Sequence, residues 1–206
     1  MMERKFILSD VLRVAWKGFM AQIWLLSGLI IGYTIISLAM AIFIPNPVQG
    51  SISLAGMTMI LLIVVFSLLF SLGYTKNLFQ AFDGEEPQFS AYGQQAFKII
   101  TWFIAGLIYA VVVIIGLALL IVPGIYLAIR LQFFYASIVE EDTGIVDSLK
   151  RSWVITHGQV MPLFWLLLVT KGLILLGLAF FVIGVFVTFP LAGMMYCNVF
   201  RKLTIF

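Results

Sequence analysis

The charged side chains are confined to a few short stretches, and this confinement constrains the fold more than any other feature. Of the 12 basic and nine acidic residues, only Arg130 and Lys171 lie outside four segments, at 1–17, 76–98, 140–151 and 201–202. Each apolar run between these segments is long enough to cross a bilayer twice. The chain is 63% hydrophobic and 10% charged, which is too apolar for a water-soluble core of ordinary size. The sequence therefore predicts an all-α integral membrane protein whose charges lie on one side of three hydrophobic hairpins.

Six transmembrane helices of about 20 residues fit the apolar runs. Their predicted bounds are 23–44, 53–75, 99–121, 124–139, 160–183 and 185–202. The connections at 45–51, 121–124 and around Gly184 carry no charge, whereas lysines and arginines flank the opposite ends of the spans. The positive-inside rule then predicts that both termini and the two charged loops are cytoplasmic. We expect residues 1–206 to form a single membrane domain.

Two of the charged segments have the spacing of amphipathic helices. In 6–20 the apolar face includes Trp16, and in 145–157 the corresponding face includes Trp153. We predict that both helices lie along the cytoplasmic interface, with these tryptophans at headgroup depth. The basic residues that we expect to contact anionic headgroups are Arg13, Lys17, Lys150 and Arg151.

The two amphipathic segments also resemble each other. Placing 10–23 over 147–160 aligns four identical residues, which are Asp10 with Asp147, Leu12 with Leu149, Trp16 with Trp153, and Gln22 with Gln159. A degenerate third copy runs from 89 to 98. The pattern predicts three repeats of one interfacial helix and two spans, at about 6–80, 88–140 and 145–203. Small residues four apart, such as Gly28 and Gly32, mark candidate helix contacts.

From Val122 onward the sequence resembles a known family. The residues that carry the resemblance are 122–127 (VPGIYL), Arg130, 138–142 (IVEED), 148–153 (SLKRSW), 156–158 (THG), 189–191 (FPL) and Tyr196. They are similar to the membrane domain of some bacterial glycerophosphodiester phosphodiesterases and its stand-alone six-span relatives. The resemblance implies a bacterial cytoplasmic (inner) membrane protein. It does not imply phosphodiesterase activity, which belongs to a separate soluble domain in those relatives.

Arg130 and Lys171 are the candidate binding residues, because both are predicted to lie deep in the bilayer. Arg130 stands about 15 Å along a helix from Glu140, and Lys171 about 18 Å from Gln159. A cation at the bilayer centre costs about 2.5–3.5 kcal/mol on insertion scales, and no acidic residue is predicted at this depth. One interpretation is that the pair binds an anion such as a lipid phosphate. The alternative is that Arg130 contacts carbonyls freed near Pro123 and that Lys171 snorkels or contacts Thr170.

Other polar residues have simpler interpretations. The acidic clusters at 83–86 and 140–142 offer oxygen ligands for a hard cation, but they have no known loop spacing and are typical of solvated turns. His157 is expected at an interfacial helix end, and Cys197 is expected to be a packing residue. The sequence has no phosphate-binding glycine loop, zinc spacing or nucleophile elbow. We therefore predict neither an enzyme nor a cofactor or metal site.

Three functions fit this description. The first is a non-enzymatic module that binds anionic lipid or a membrane partner, without a role for nucleic acid. The second is a transporter of a small or amphiphilic anion, in which Pro123-Gly124 and Pro190 break two spans near the midplane. The third is a structural or assembly subunit of a membrane complex or homo-oligomer.

Overall fold

The computed structural model describes residues 6–45, 53–179 and 183–205, and all the regular structure within these ranges is helical. The α-helices in the described ranges are α1 (Leu8–Ala21), α2 (Ile23–Ile42), α3 (Leu54–Phe82), α4 (Ser90–Gln95), α5 (Ile99–Leu119), α6 (Ile121–Leu131), α7 (Phe134–Glu140), α8 (Ile145–Ile155), α9 (Val160–Ala179) and α10 (Val185–Thr204). A 3₁₀ turn at Ala96–Lys98 joins α4 to α5. The connection predicted at 45–51 and the end of the fifth predicted span lie largely outside the described residues.

Five segments are long and apolar enough to cross a membrane. They are Ile23–Ile42, Leu54–Phe82, Ser90–Leu119, Ile121–Glu140 and Val160–Ala179. These segments coincide with the first five predicted spans, so the described chain is an all-helical, multi-pass membrane protein. The sixth predicted span, α10, has the length but is not among the five. Asn198, Arg201 and Lys202 make it more polar, which is tolerated because α10 packs against α1, α2, α3 and α9.

Both predicted amphipathic helices form, and the residues that they bury lie largely on the predicted faces. In α1 the buried residues are Val11, Ala15 and Phe19, while Trp16 is 48% exposed. In α8 the buried face is partly polar, and Trp153 stands at its edge with 39% exposure. Each tryptophan is therefore only half covered by protein, as expected for a ring at a membrane interface.

The turn between α5 and α6 is tighter than predicted. The sequence indicates a connection at 121–124, whereas α5 ends at Leu119 and α6 begins at Ile121. Proline is tolerated in the first turn of a helix, so Pro123 lies inside α6 instead of ending it. A Cβ on Gly116 would lie 2.9 Å from the Cα of Gly124, so the two helices cross at a distance that only glycine permits.

The predicted helix breaks are also in the wrong place. Pro190 lies within α10, which continues on both sides of it. The fourth span is interrupted instead at 132–133, between α6 and α7. Nothing in the local sequence marks this interruption, because neither Gln132 nor Phe133 is a helix breaker.

The short helices pack in a consistent pattern. Helix α4 contacts α3, α8 contacts α6 and α7, and α1 contacts α10. Each short helix thus lies against the span that precedes it, and α1 lies against the last helix of the chain. The close glycine contact of the α5–α6 hairpin has a counterpart at Gly177 and Gly184, which bring α9 and α10 together. By contrast, a Cβ on Gly28 or Gly32 would meet nothing within 4 Å, so this predicted contact face is open.

Candidate functional site

The interruption of the fourth span is stabilised by side chains from α8 and α10. The hydroxyl of Ser152 donates to the carbonyl of Arg130 at 2.9 Å and accepts from the backbone N–H of Phe133 at 3.0 Å. Thr156 donates to the same carbonyl at 3.0 Å, and the hydroxyl of Tyr196 donates to the carbonyl of Gln132. These bonds replace the helical hydrogen bonds that the break removes, as a membrane interior requires.

A cavity of about 510 Å³ lies among α2, α3, α9 and α10, next to this interruption. Its polar lining residues are Tyr33, Thr34, Ser67, Ser71, Tyr74, Thr75, Gln132, Thr170, Lys171 and Tyr196. Apolar side chains such as Leu166 and Ile174 complete the lining. Spans that present so many hydroxyls to one space are unusual, because each buried polar group needs a partner in a bilayer.

Lys171 is the cation of this cavity. It is the only charged residue of the span Val160–Ala179 on α9, and its side chain is exposed at the surface of the protein. No aspartate or glutamate lines the cavity, and within the part of the chain that the structure describes Lys171 has no ion pair or hydrogen bond. Its neighbour Thr170 donates instead to the carbonyl of Leu166 at 2.9 Å. The cavity therefore holds one positive charge without a protein counter-charge.

One wall of the cavity is aromatic. The rings of Tyr33 and Phe70 stack with centroids 4.2 Å apart, and the Tyr74 ring lies 5.4 Å from that of Phe70. The Tyr74 hydroxyl is buried and has no hydrogen-bond partner among the described residues, and the same holds for the amide nitrogen of Gln132. These groups leave hydrogen-bonding capacity unused beside the cavity.

The charged segments meet at one end of the bundle. Lys76 on α3 pairs with Glu140 on α7 at 2.8 Å, and Arg201 on α10 reaches Glu140 at 2.6 Å and Asp83 at 2.5 Å. The side chain of Glu140 is only 6% exposed, so this carboxylate is buried between two cations. We call Lys76, Asp83, Glu140 and Arg201 the ionic layer.

A second group of ion pairs extends the same end of the bundle. Lys98 pairs with Asp142 and donates to the carbonyls of Ile138 and Val139 at 3.1 and 3.3 Å. The acidic residues at 140–142 and Asp83 are thus matched to lysine and arginine. No cluster of three or more metal-ligating side chains forms within the residues that the structure describes.

Arg130 lies in different surroundings from Lys171. Its side chain is 2% exposed, and the guanidinium carbon stands 4.1 Å from the centroid of the Trp153 ring and 5.9 Å from that of Tyr126. Arg130 is not among the residues that line the cavity, and its Nε has no hydrogen-bond partner among the described residues. The structure therefore brings Arg130 to Trp153 and places Lys171 alone in the cavity.

The predicted interfacial residues do not form a single site. Arg13, Lys17 and Lys150 are exposed. Lys17 lines a crevice of about 690 Å³ beside Gln22 and Glu86. Arg151 binds Glu141 through two nitrogens at 2.8 Å, and this hydrogen bonding raises the pKa of Arg151 above its usual value. Arg151 is therefore committed to a protein partner.

Sequence reasoning missed the ionic layer and the hydroxyl lining. One signal was present in the sequence, an interval of 61 residues at which related positions recur. This interval separates Tyr74 from Tyr135, Tyr135 from Tyr196, and Glu140 from Arg201. Gly116 and Gly177, which make the close hairpin contacts, have the same interval. The lining hydroxyls, in contrast, come from four helices, and no local pattern connects them.

The fold and the cavity define a class of multi-pass helical membrane proteins with a cavity among four helices that hydroxyls and apolar side chains line together. The family described as Domain of unknown function (DUF7847) matches residues 90–202, which is more than half of the chain. The chain belongs to this family. No curated protein and no solved structure matches it.

Proposed function

We propose that the protein is a non-enzymatic membrane module that binds the anionic group of a lipid at Lys171. The observation that carries this proposal is the unpaired cation in the cavity. A charged group inside a span is costly and marks a functional site by default. An anion entering the cavity would supply the missing counter-charge in surroundings of low dielectric, where such a pair is stronger than in water.

The cavity's composition favours an amphiphile over a small ion. Apolar side chains such as Leu166 and Ile174 share the lining with Lys171 and the hydroxyls. A lipid places its headgroup against the polar side chains and its acyl chains against the apolar ones. Arg130 is excluded from this proposed site because the face of Trp153 already covers its guanidinium.

The test is lipid retention by Lys171→Met, in which a side chain of similar length loses its charge. Detergent-purified protein is mixed with phosphatidylglycerol, and bound lipid is measured by native mass spectrometry. We expect about tenfold weaker binding, which corresponds to about 1.4 kcal/mol. Lys202→Met is the matched control, since Lys202 is half-buried on α10 and does not line the cavity. Equal retention by Lys171→Met and the wild type would refute the proposal.

A transporter is the second candidate, and the interruption of the fourth span favours it. Non-helical backbone at membrane depth is tolerated where it lines a cavity, and broken helices are typical of transporter sites. Gln132 stands at the interruption and lines the cavity. Transbilayer movement of a fluorescent anionic lipid in proteoliposomes separates the two functions. Movement that Lys171→Met abolishes supports transport, whereas binding without movement supports the module.

We further infer that the chain has six spans in three units, with both termini and the charged end in the cytoplasm of a bacterium. The support is the packing of each short helix against the preceding second span, together with the 61-residue interval. The resemblance to the phosphodiesterase-associated membrane domain belongs to the same proposal. Cysteines placed at Gly84 and Thr143 are expected to react from one face of the membrane, and one placed at Leu120 from the other. Opposite labelling of Gly84 and Thr143 would overturn this topology.

A further inference from the structure

Six of the eight hydroxyls that line the cavity donate their hydrogens within the protein. A serine, threonine or tyrosine hydroxyl has one hydrogen to donate and two lone pairs to accept with. The bonds run from Thr34 to the Ile30 carbonyl at 2.8 Å, from Ser67 to Ile63 at 2.7 Å, from Thr75 to Ser71 at 2.8 Å, and from Thr170 to Leu166 at 2.9 Å. Tyr33 donates to the Ser67 oxygen at 3.0 Å, and Tyr196 to the Gln132 carbonyl.

These bonds leave mainly acceptors facing the cavity. The remaining capacity of Thr34, Thr75 and Thr170 is in their lone pairs, and a lone pair attracts a hydrogen-bond donor. Lys171 is one exception, because an ammonium group only donates, and two more are the tyrosine hydroxyl and glutamine nitrogen of the lining that are unpartnered within the described residues. The lining therefore combines one cation and two neutral donors, which attract an anion, with threonine oxygens that an anion alone cannot satisfy.

The chemistry that satisfies both parts is an anion that carries its own donors. A phosphodiester oxygen would bind Lys171, and hydroxyl groups attached beyond the phosphate would donate to the threonine oxygens. A phosphodiester with an alkyl group in that position would satisfy Lys171 and leave the acceptors unpaired. A ligand without these donors forgoes those hydrogen bonds, each of which contributes about 0.5–1.5 kcal/mol.

We propose that the cavity selects lipids whose phosphodiester headgroup bears hydroxyl groups. This inference rests on the proposed function of Lys171 as an anion site. Phosphatidylglycerol has such a headgroup. Phosphatidylethanol has the same single negative charge and the same phosphodiester, but it has no headgroup hydroxyl. The two lipids therefore differ in the donors that the threonine oxygens would recognise and not in the charge that Lys171 would recognise.

The experiment measures binding of both lipids to the full-length protein in detergent by native mass spectrometry. The wild type is expected to bind phosphatidylglycerol about tenfold more tightly than phosphatidylethanol, which a few hydrogen bonds account for. The double variant Thr34→Val and Thr75→Val keeps the side-chain shape and removes two acceptors. It is expected to lose the preference while its affinity for phosphatidylethanol stays unchanged.

Two controls separate folding from recognition. Thr58→Val removes a hydroxyl that makes the same kind of backbone bond on α3, to Ala55 at 2.8 Å, but lies outside the cavity lining. It is expected to keep the preference. Thr34→Ser with Thr75→Ser retains both acceptors and is also expected to keep it. A preference lost in the serine variant would contradict the inference.

The possible failures are distinguishable. Equal wild-type affinity for the two lipids would overturn the hydroxyl preference and leave Lys171 as an anion site. No dependence of either affinity on Lys171 would overturn the proposed function itself. Soluble glycerol 3-phosphate is added as a competitor at the same concentration as phosphatidylglycerol. Displacement of half of the bound phosphatidylglycerol would show that the headgroup alone suffices for binding, which would contradict a lipid ligand.

Discussion

The ionic layer and the cavity both contain cations of the membrane bundle, but only the cations of the ionic layer are paired with carboxylates. In the ionic layer Glu140 is buried between Lys76 and Arg201, and Asp83 supplies a second carboxylate to Arg201. In the cavity Lys171 has no acidic neighbour among the lining residues. Burying a charge is costly unless it is paired. The comparison indicates that the buried carboxylate of the ionic layer is structural, whereas Lys171 is exposed and unpaired among the described residues, which is consistent with the ligand site that we propose.

Arg130 is an intermediate case. It is the more deeply buried cation, at 2% exposure, yet its partner is the ring of Trp153 instead of a carboxylate. The face of an aromatic ring attracts a guanidinium and needs no compensating negative charge. Intramembrane position alone therefore did not distinguish the two cations, and their tertiary surroundings did.

The largest effect is expected at the centre of the ionic layer. Glu140→Gln removes the charge that Lys76 and Arg201 share, and breaking a buried ion pair costs about 3 kcal/mol or more. We expect a corresponding loss in the free energy of unfolding, measured by denaturant titration in detergent. Glu141→Gln is the control, because its pair with Arg151 is partly exposed and is worth about 1 kcal/mol at most. Equal losses in both variants would contradict a special role for the buried layer.

A smaller effect is expected at Trp153. Trp153→Leu removes the ring that covers the Arg130 guanidinium, and a desolvated contact of this kind is worth about 2 kcal/mol. Trp165→Leu is a matched control, since Trp165 is 53% exposed and does not contact Arg130. Trp153→Phe keeps an aromatic face and is expected to recover part of the loss. If leucine and phenylalanine were equally destabilising, packing alone would explain the effect.

The smallest effect on stability is expected at Lys171. Without added lipid, Lys171→Met is expected to unfold within about 0.5 kcal/mol of the wild type, because Lys171 has no protein partner to lose. The same titration in phosphatidylglycerol-containing micelles is expected to stabilise the wild type more than the variant, by linkage to binding. A large loss of stability without lipid would show that Lys171 is structural, as the residues of the ionic layer are.

Much of the architecture was predictable because it depends on local composition. The length of the apolar runs predicted the first five spans, and the 3–4 spacing around Val11 and Ser152 predicted α1 and α8. The connection predicted at 121–124 was wrong, since proline in a first turn does not end a helix. The break suggested at Pro190 was also wrong, because proline is tolerated in a membrane helix when neighbouring groups satisfy the backbone.

The candidate site was predictable only in part. Lys171 is conspicuous as a charge inside an apolar run, and the sequence singled it out together with Arg130. The hydroxyls of Thr34, Thr75 and Thr170 were not singled out, because each is ordinary on its own helix. They become a site only where α2, α3 and α9 face one space.

The sequence by itself determined that the apolar spans belong in a bilayer, and it determined the positions of the charges along the chain. Long apolar runs are stable only in a bilayer, and the cost of moving charge through hydrocarbon keeps the charged segments at the ends of the spans. The tertiary structure decided which charges are paired and which remain unpaired. Ion pairing and hydrogen bonding act over a few ångströms between residues such as Lys76 and Glu140 that are far apart in sequence, so only the packing of the helices could decide them.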